Sequence, residues 1–323
     1  MTALFKSANI VYCKWDMNRS FSDVYSHRLE SKQQGEFFHR YLLGLYSVLS
    51  NLTQRFPQIL FESCASGGNR YDLGMLCYMP QTWVSDDTDG IERLWIQYGT
   101  SYAYPLSTMG AHVSQSPNAQ TLRTTPIETR FNTAAFGLLG YELDLSKLSR
   151  FDRQSIQRQI SFYKDHRRML QFGTFYRLEH PDDSNECRWM VVSETGDEAL
   201  VGHYQLLSKP NPPRQKITVK GLLPDGVYHI SNRPQYLNLK LFGDLIHHAL
   251  PVKISAKSTL FHWLSNFYLM PTEVESFDID GDALANNGFI PAQNFMGTGY
   301  HPKIRILGDF GSRIYHLKRK EVQ

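Results

Sequence analysis

Apolar and polar positions alternate from Ile10 to Met17, placing Ile10, Tyr12, Lys14, Asp16 and Asn18 on one face of a strand and Val11, Cys13, Trp15 and Met17 on the other. The first face turns polar toward the end of the strand, as in a barrel strand whose last inward residues line a site. From Gln34 to Gln54 the period lengthens. Phe37, Phe38, Tyr41, Leu42, Leu45, Val48, Leu49 and Leu52 recur at helical spacing, and Pro57 closes the helix. Ile59 to Phe61 reads as a short buried strand that leads into a loop from Ser63 to Asn69. A further strand ends near Val84. Asp89, with Glu92 three residues on, predicts a capping box for a helix whose apolar face holds Ile91, Leu94, Trp95 and Tyr98. Met109 to Ser114 and Leu138 to Leu143 read as strands, and Asp152 to Gln171 as a helix with Ile156, Ile160, Tyr163 and Leu170 on one side. Strands alternating with helices predict parallel βα units. About five strands are too few to close an eight-stranded barrel.

Beyond Phe172 the texture changes. Short β-branched and aromatic runs, Arg188 to Ser193, Ala199 to Leu207, Lys216 to Lys220 and Val227 to Ser231, are separated by turn signals such as Glu194-Thr-Gly-Asp and Pro224-Asp-Gly. The expectation is a partial parallel α/β barrel over residues 1–172 and an antiparallel β-sandwich over residues 173–323.

Two aspartates stand out against this pattern. Asp16 shares its face with Lys14, and Asp86 follows Trp83-Val-Ser and precedes Asp87 and Asp89. A lysine and an aspartate inside a barrel end are expensive to bury unless paired or used, so they read as a candidate site. The residues alone leave structural alternatives open: an ion pair of Asp16 with Lys14 or Arg19, and a helix cap for Asp86.

The segments Lys14-Trp-Asp-Met-Asn18-Arg19, Glu62-Ser-Cys64-Ala-Ser-Gly67-Gly68-Asn69-Arg70 and Trp83-Val-Ser-Asp86-Asp-Thr-Asp89 occur in this order. Together they resemble the microbial α-galactosidases of glycoside hydrolase family 36. The resemblance implies that Asp16 is the nucleophile and Asp86 the general acid/base of a retaining hydrolase. It implies that Lys14, Trp15, Met17, Asn18, Cys64, Gly67 and Trp83 contact the galactose or shape its pocket. Asp87 and Asp89 would supply a negative neighbourhood for the proton-carrying Asp86. The expected substrates are α-galactoside oligosaccharides of the raffinose and melibiose type, taken without a cofactor. The strands would be about strands 4 to 8 of a (β/α)8 barrel, because family members carry a β-sandwich and the opening barrel strands ahead of the nucleophile. An α-N-acetylgalactosaminidase or a galactosyltransferase would use the same carboxylates. A catalytically silent carbohydrate-binding or subunit fragment is the alternative from another class.

Composition narrows the partners. With 323 residues, 41% hydrophobic and 13% aromatic, the chain can bury sizeable cores. A formal charge of +3 from 34 basic and 31 acidic residues, without a long basic run, gives no footprint for nucleic acid or an anionic membrane. Lys318-Arg319-Lys320 reads as a solvated tail. Cys13, Cys64, Cys77 and Cys187 lack paired spacing, which points to free thiols and a cytoplasmic setting. A homo-oligomer, or pairing with a missing N-terminal half, is expected. Asp278-Ile-Asp280-Gly-Asp282 reads as a turn, because an EF-hand would need glycine and glutamate where Ala283 and Phe289 stand. The histidines, including His247-His248, show no metal-ligand spacing.

Overall fold

The computed structural model describes residues 1–19, 21–210, 216–245, 254–292 and 307–321. Its elements run α1 (Thr2–Ser7), β1 (Tyr12–Asp16), α2 (Phe37–Arg55), β2 (Leu60–Cys64), α3 (Leu73–Leu76), β3 (Gln81–Trp83), α4 (Glu92–Thr100), β4 (Met109–Ser114), α5 (Ile127–Ala134), β5 (Leu138–Glu142) and α6 (Arg150–Phe172). There follow β6 (Thr174–Glu179), β7 (Glu186–Val192), β8 (Glu198–Gln205), β9 (Val227–Asn232), the short ladder β10 (Tyr236–Leu237) with β11 (Met270–Pro271), β12 (Ser276–Asp280) and β13 (Ser312–Arg319). The first five strands lie in the order β1-β2-β3-β4-β5, with β1 to β4 paired in parallel. That is the expected partial barrel sheet. By packing, the chain divides into two compact units, Met1–Asp86 with Thr108–Gly110, and Asp87–Ser107 with Ala111–Gln323. This division differs from a break at residue 172.

In the first unit the alternation is realised from Tyr12 to Asp16, whereas ahead of the strand Ile10 packs on the core and Val11 is exposed, the reverse of the reading. Cys13 and Trp15 pack toward a core of Phe5, Leu49, Leu52, Phe56, Ile59, Phe61, Met75 and Met79 contributed largely by the surrounding helices, whereas Tyr12, Lys14 and Asp16 stay exposed on the opposite face. One face is core and the other is free for chemistry. Helix α2 begins three residues later than expected, after a 3₁₀ turn over Ser31–Glu36, and ends just ahead of Pro57. Strand β2 continues through Ser63 and Cys64, residues expected in a loop.

In the second unit a six-stranded antiparallel sheet has the order β12-β9-β13-β8-β7-β6. Among the described residues there is one such sheet and not two facing sheets, which corrects the sandwich expectation. Helices α5 and α6 cover one face. On the other face Met190, Val201, Tyr228, Ile230, Tyr315 and Leu317 pack with Ile217, Val219, Leu284 and Phe289, so loop residues and a short helix (Gly281–Asn286) do the work of a second sheet. The run Lys216 to Lys220 is not a strand; Ile217 makes only an isolated bridge with Phe289.

Three more expectations change. Lys318-Arg319-Lys320 is no free tail: Lys318 and Arg319 end the central strand β13, Arg319 pairs with Asp197 at 3.3 Å and Lys320 with Asp278 at 2.9 Å. Asp278 and Asp280 belong to strand β12, which runs straight into a helix instead of turning. The capping box at α4 does not form. Asp89 Oδ1 accepts from the Ile91 amide at 2.8 Å, while Glu92 is drawn to Arg123 at 2.9 Å. His247-His248 lies outside the described residues.

Candidate active site

Parallel pairing of β1 with β2 sets Lys14 opposite Glu62 and Asp16 opposite Cys64, so the two motifs meet at one end of the sheet. Asp16 gathers donors. Its Oδ2 accepts from Asn18 Nδ2 at 2.8 Å and its Oδ1 from the Met17 amide at 2.9 Å. The Cys64 thiol also donates to it, and this bond first, with Asn18, Met17 and the Lys14 charge behind it, holds the Asp16 carboxyl below the usual aspartate range. Burial pushes the Cys64 thiol up, so it stays a proton donor and is no nucleophile.

Lys14 links the two aspartates. Its Nζ sits 3.7 Å from the centroid of the Trp83 ring and 4.0 Å from Glu62 Oε1, and Trp83 Nε1 donates to Asp86 Oδ1 at 2.9 Å. A cation over an indole face is attracted by the ring quadrupole, so Trp83 is fixed by Lys14 on its face and by Asp86 at its edge. Asp86 itself is exposed. Glu62 is buried, and Tyr12 Oη and Gln81 Nε2 donate to it, the latter at 2.6 Å.

The loop after β2 is built to lie against Asp86. Gly67 has φ +83°, and a Cβ there would stand 3.0 Å from Ser85 Cα and 3.3 Å from the Asp86 amide nitrogen. A side chain would push the two segments apart. Ser66 shares the left-handed conformation, φ +49°, and both its amide and its hydroxyl donate to Asn18 Oδ1. Arg70 Nη2 donates to the carbonyls of Trp15 and Cys64 at 2.8 and 2.9 Å, tying the ends of β1 and β2 together.

Of the expected residues, Lys14, Asp16, Asn18, Cys64, Gly67, Trp83 and Asp86 are brought together. Met17 takes part through its amide. Trp15 does not reach this face; it packs on the core side of β1. Asp89 is buried with its charge answered by Arg123 at 3.1 Å, so it supplies no free negative neighbourhood. Glu62 and Arg70 were present in the motif without a role. Their signal was the strand register, which puts Glu62 beside Lys14.

The melibiase family profile matches residues 1–173, and the glycosyl hydrolase family 36 C-terminal domain matches residues 186–317. The chain belongs to glycoside hydrolase family 36. It is 51% identical over 230 residues to α-galactosidase AgaA of Geobacillus stearothermophilus, covering 71% of this chain and 32% of that one. Identity to α-galactosidase 1 of Pediococcus pentosaceus is 54% over 221 residues, covering 68% and 30%. The crystal structure of the Lactobacillus brevis α-galactosidase superposes with a TM-score of 0.80 at 38% identity, covering 100% of this chain and 37% of that one. Crystal structures of AgaA variants in complex with raffinose and with stachyose superpose with a TM-score of 0.78 at 39% identity, covering 99% of this chain and 37% of AgaA. The family 36 chain described here thus spans about a third of the length of the curated relatives it matches.

Proposed function

We propose that this chain carries the catalytic carboxylates of a retaining α-galactosidase acting on raffinose- and stachyose-type oligosaccharides. The observation that carries the reading is Asp16, held ionised by converging donors and coupled through Lys14 and Trp83 to Asp86. Asp16 attacks the anomeric carbon while Asp86 gives its proton to the departing glycosidic oxygen, leaving a galactosyl ester on Asp16. Asp86 then takes a proton from water, which adds to the anomeric carbon and frees Asp16. Double displacement of this kind retains configuration and has its carboxyl groups typically about 5 to 5.5 Å apart. The AgaA raffinose and stachyose complexes carry an Asp→Asn and an Asp→Ala change respectively, and the changed positions lie 70 residues apart, the separation of Asp16 and Asp86 here.

In this reading β1 to β5 are strands 4 to 8 of a (β/α)8 barrel, and the chain from residue 173 is its C-terminal β domain. Lys14, Asn18 and Trp83 meet the sugar, and Cys64 acts through Asp16. The four free cysteines suit a reducing compartment, and no described helix is long and apolar enough to cross a membrane. The test is a slow fluorinated aryl α-galactoside applied to the chain or to an assembly containing it, with peptide mapping of the product. A galactosyl ester on Asp16 is expected, and Asp16→Ala should lower kcat on the order of 10³-fold or more. An ester on another carboxylate would refute the assignment.

A further inference from the structure

Among the described residues, one cluster of metal-ligating side chains lies apart from the motifs above, in the second unit. His166 on α6, Glu198 on β8 and His316 on β13 each offer one ligand atom, and these atoms lie within 4.8 Å of one another. His316 Nε2 is 2.6 Å and His166 Nε2 3.9 Å from the same oxygen, Glu198 Oε1. The two imidazole rings stand edge to face with centroids 5.0 Å apart.

Three details make this more than a chance meeting of polar groups. His166 Nδ1 lies 2.9 Å from the Phe162 carbonyl oxygen, a contact that only an Nδ1–H can satisfy, so in the neutral ring the lone pair is on Nε2 facing Glu198. A ligating histidine needs this tautomer and this kind of outer partner. Phe162 stacks on the ring with centroids 4.4 Å apart and fixes its plane. A cavity of about 480 Å³ opens beside the cluster, lined by Asp165, His166, Gly173, Ser193, Glu194 and Glu198 among others. It leaves room for water.

We propose that His166, Glu198 and His316 bind one divalent transition-metal ion, zinc in the first instance, with water completing the coordination on the cavity side. Two imidazoles and one carboxylate are a three-ligand set suited to zinc and its neighbours, whereas calcium and magnesium favour all-oxygen sites. Ligand atoms bound at about 2 Å to one tetrahedral ion lie on the order of 3.3 Å apart, so the present spacings close by side-chain shifts of about 1 Å. Metal entry replaces the bond between His316 Nε2 and Glu198, the imidazole proton moving to Nδ1. The bound ion ties α6 to the neighbouring strands β8 and β13.

The test uses the full chain, stripped of metal, with Cys77→Ser removing the exposed thiol. Titration with Co²⁺ should give a visible d–d band saturating at one equivalent and abolished by Zn²⁺. His166→Ala and His316→Ala should each weaken Co²⁺ binding by about tenfold or more, and Glu198→Gln, close in size and still able to accept from His316, should do the same. His166 is part-buried, so far-UV circular dichroism of each variant confirms the fold before titration. No band at one equivalent, or unchanged affinity in the His166 and Glu198 variants, would reduce the cluster to a hydrogen-bonded group and overturn the proposal.

Discussion

Asp16 illustrates how a short strand sets a titration. A carboxyl held below its ordinary range remains ionised to lower pH, so under the proposed nucleophile role the acid limb of kcat/KM, where Asp16 would take up a proton, is expected below that of an ordinary aspartate. Cys64→Ala removes the foremost donor, raises the Asp16 pKa and should move this limb to higher pH; Cys64→Ser keeps a donor and should leave it nearly in place. A pH–rate series on both variants decides whether the thiol acts through Asp16. Asp86→Asn is expected to lower turnover of raffinose by about 10² to 10⁴-fold but that of aryl galactosides far less, because good leaving groups depart without a proton. Equal losses on both substrates would make Asp86 structural. Asp16 and Lys14 were legible because alternation along one strand is local. The Lys14–Glu62 pairing and the Arg70 clasp depend on register between strands, which no single segment encodes, and the Trp83–Asp86 bond, though it spans only three residues, depends on how the loop after β3 turns.

Elements were legible where burial has a side. Helix α6 carries one apolar face, α2 was read from its helical spacing although only Leu49 and Leu52 of it are buried, and β4 spans the residues expected of it. Helix α5 gave no signal because all eight of its residues are buried, polar ones included: Asn132 and Thr129 bond to Ser312 at 2.8 Å, and Glu128 pairs with Arg233 at 2.5 Å. A helix buried on every side has no apolar stripe to detect. Strand β13 went unread because its last basic residues look like a tail until Asp197 and Asp278 are placed beside them. The same logic of local demand separates two glycines. Gly67→Ala forces a left-handed alanine against Ser85 and should destabilise the chain by about 1 to 3 kcal/mol while displacing Asp86 and lowering kcat. Gly44 is exposed in the middle of α2, and a Cβ there would meet nothing within 4 Å. Its replacement by alanine should stabilise the chain by about 0.5 to 1 kcal/mol with unchanged kcat. Urea midpoints of the two variants test the contrast; a neutral Gly67→Ala would mean the loop has room to relax.

At the scale of the whole molecule, the exposed surface of the first unit sets how the chain behaves alone. Strand β1 stands at the edge of a parallel sheet, with Tyr12 exposed on it, Val11 exposed just ahead of it and Leu60 exposed on its neighbour. Helix α2 presents Phe38, Leu42, Leu43 and Val48 to solvent, Leu43 at 55%. Parallel sheets are ordinarily covered on both faces, and an apolar surface beside an unpaired edge is a site of association. The chain covers only 32% of AgaA, and the open face is the one that carries Lys14 and Asp16. Each sugar hydrogen bond that the chain alone fails to make would weaken transition-state binding by about 1 to 3 kcal/mol, so lacking several would multiply into orders of magnitude in rate. The chain alone should therefore self-associate and turn over a chromogenic α-galactoside at least about 10³-fold more slowly than full-length AgaA under the same conditions. Sedimentation at several concentrations and a parallel assay measure both. Leu43→Glu with Val48→Glu should reduce the association and leave the residual turnover unchanged, since neither side chain belongs to the Asp16 site. A monodisperse monomer turning over at the rate of AgaA would show that the open face is complete as it stands and that the sugar needs no contacts beyond those of β1 to β3.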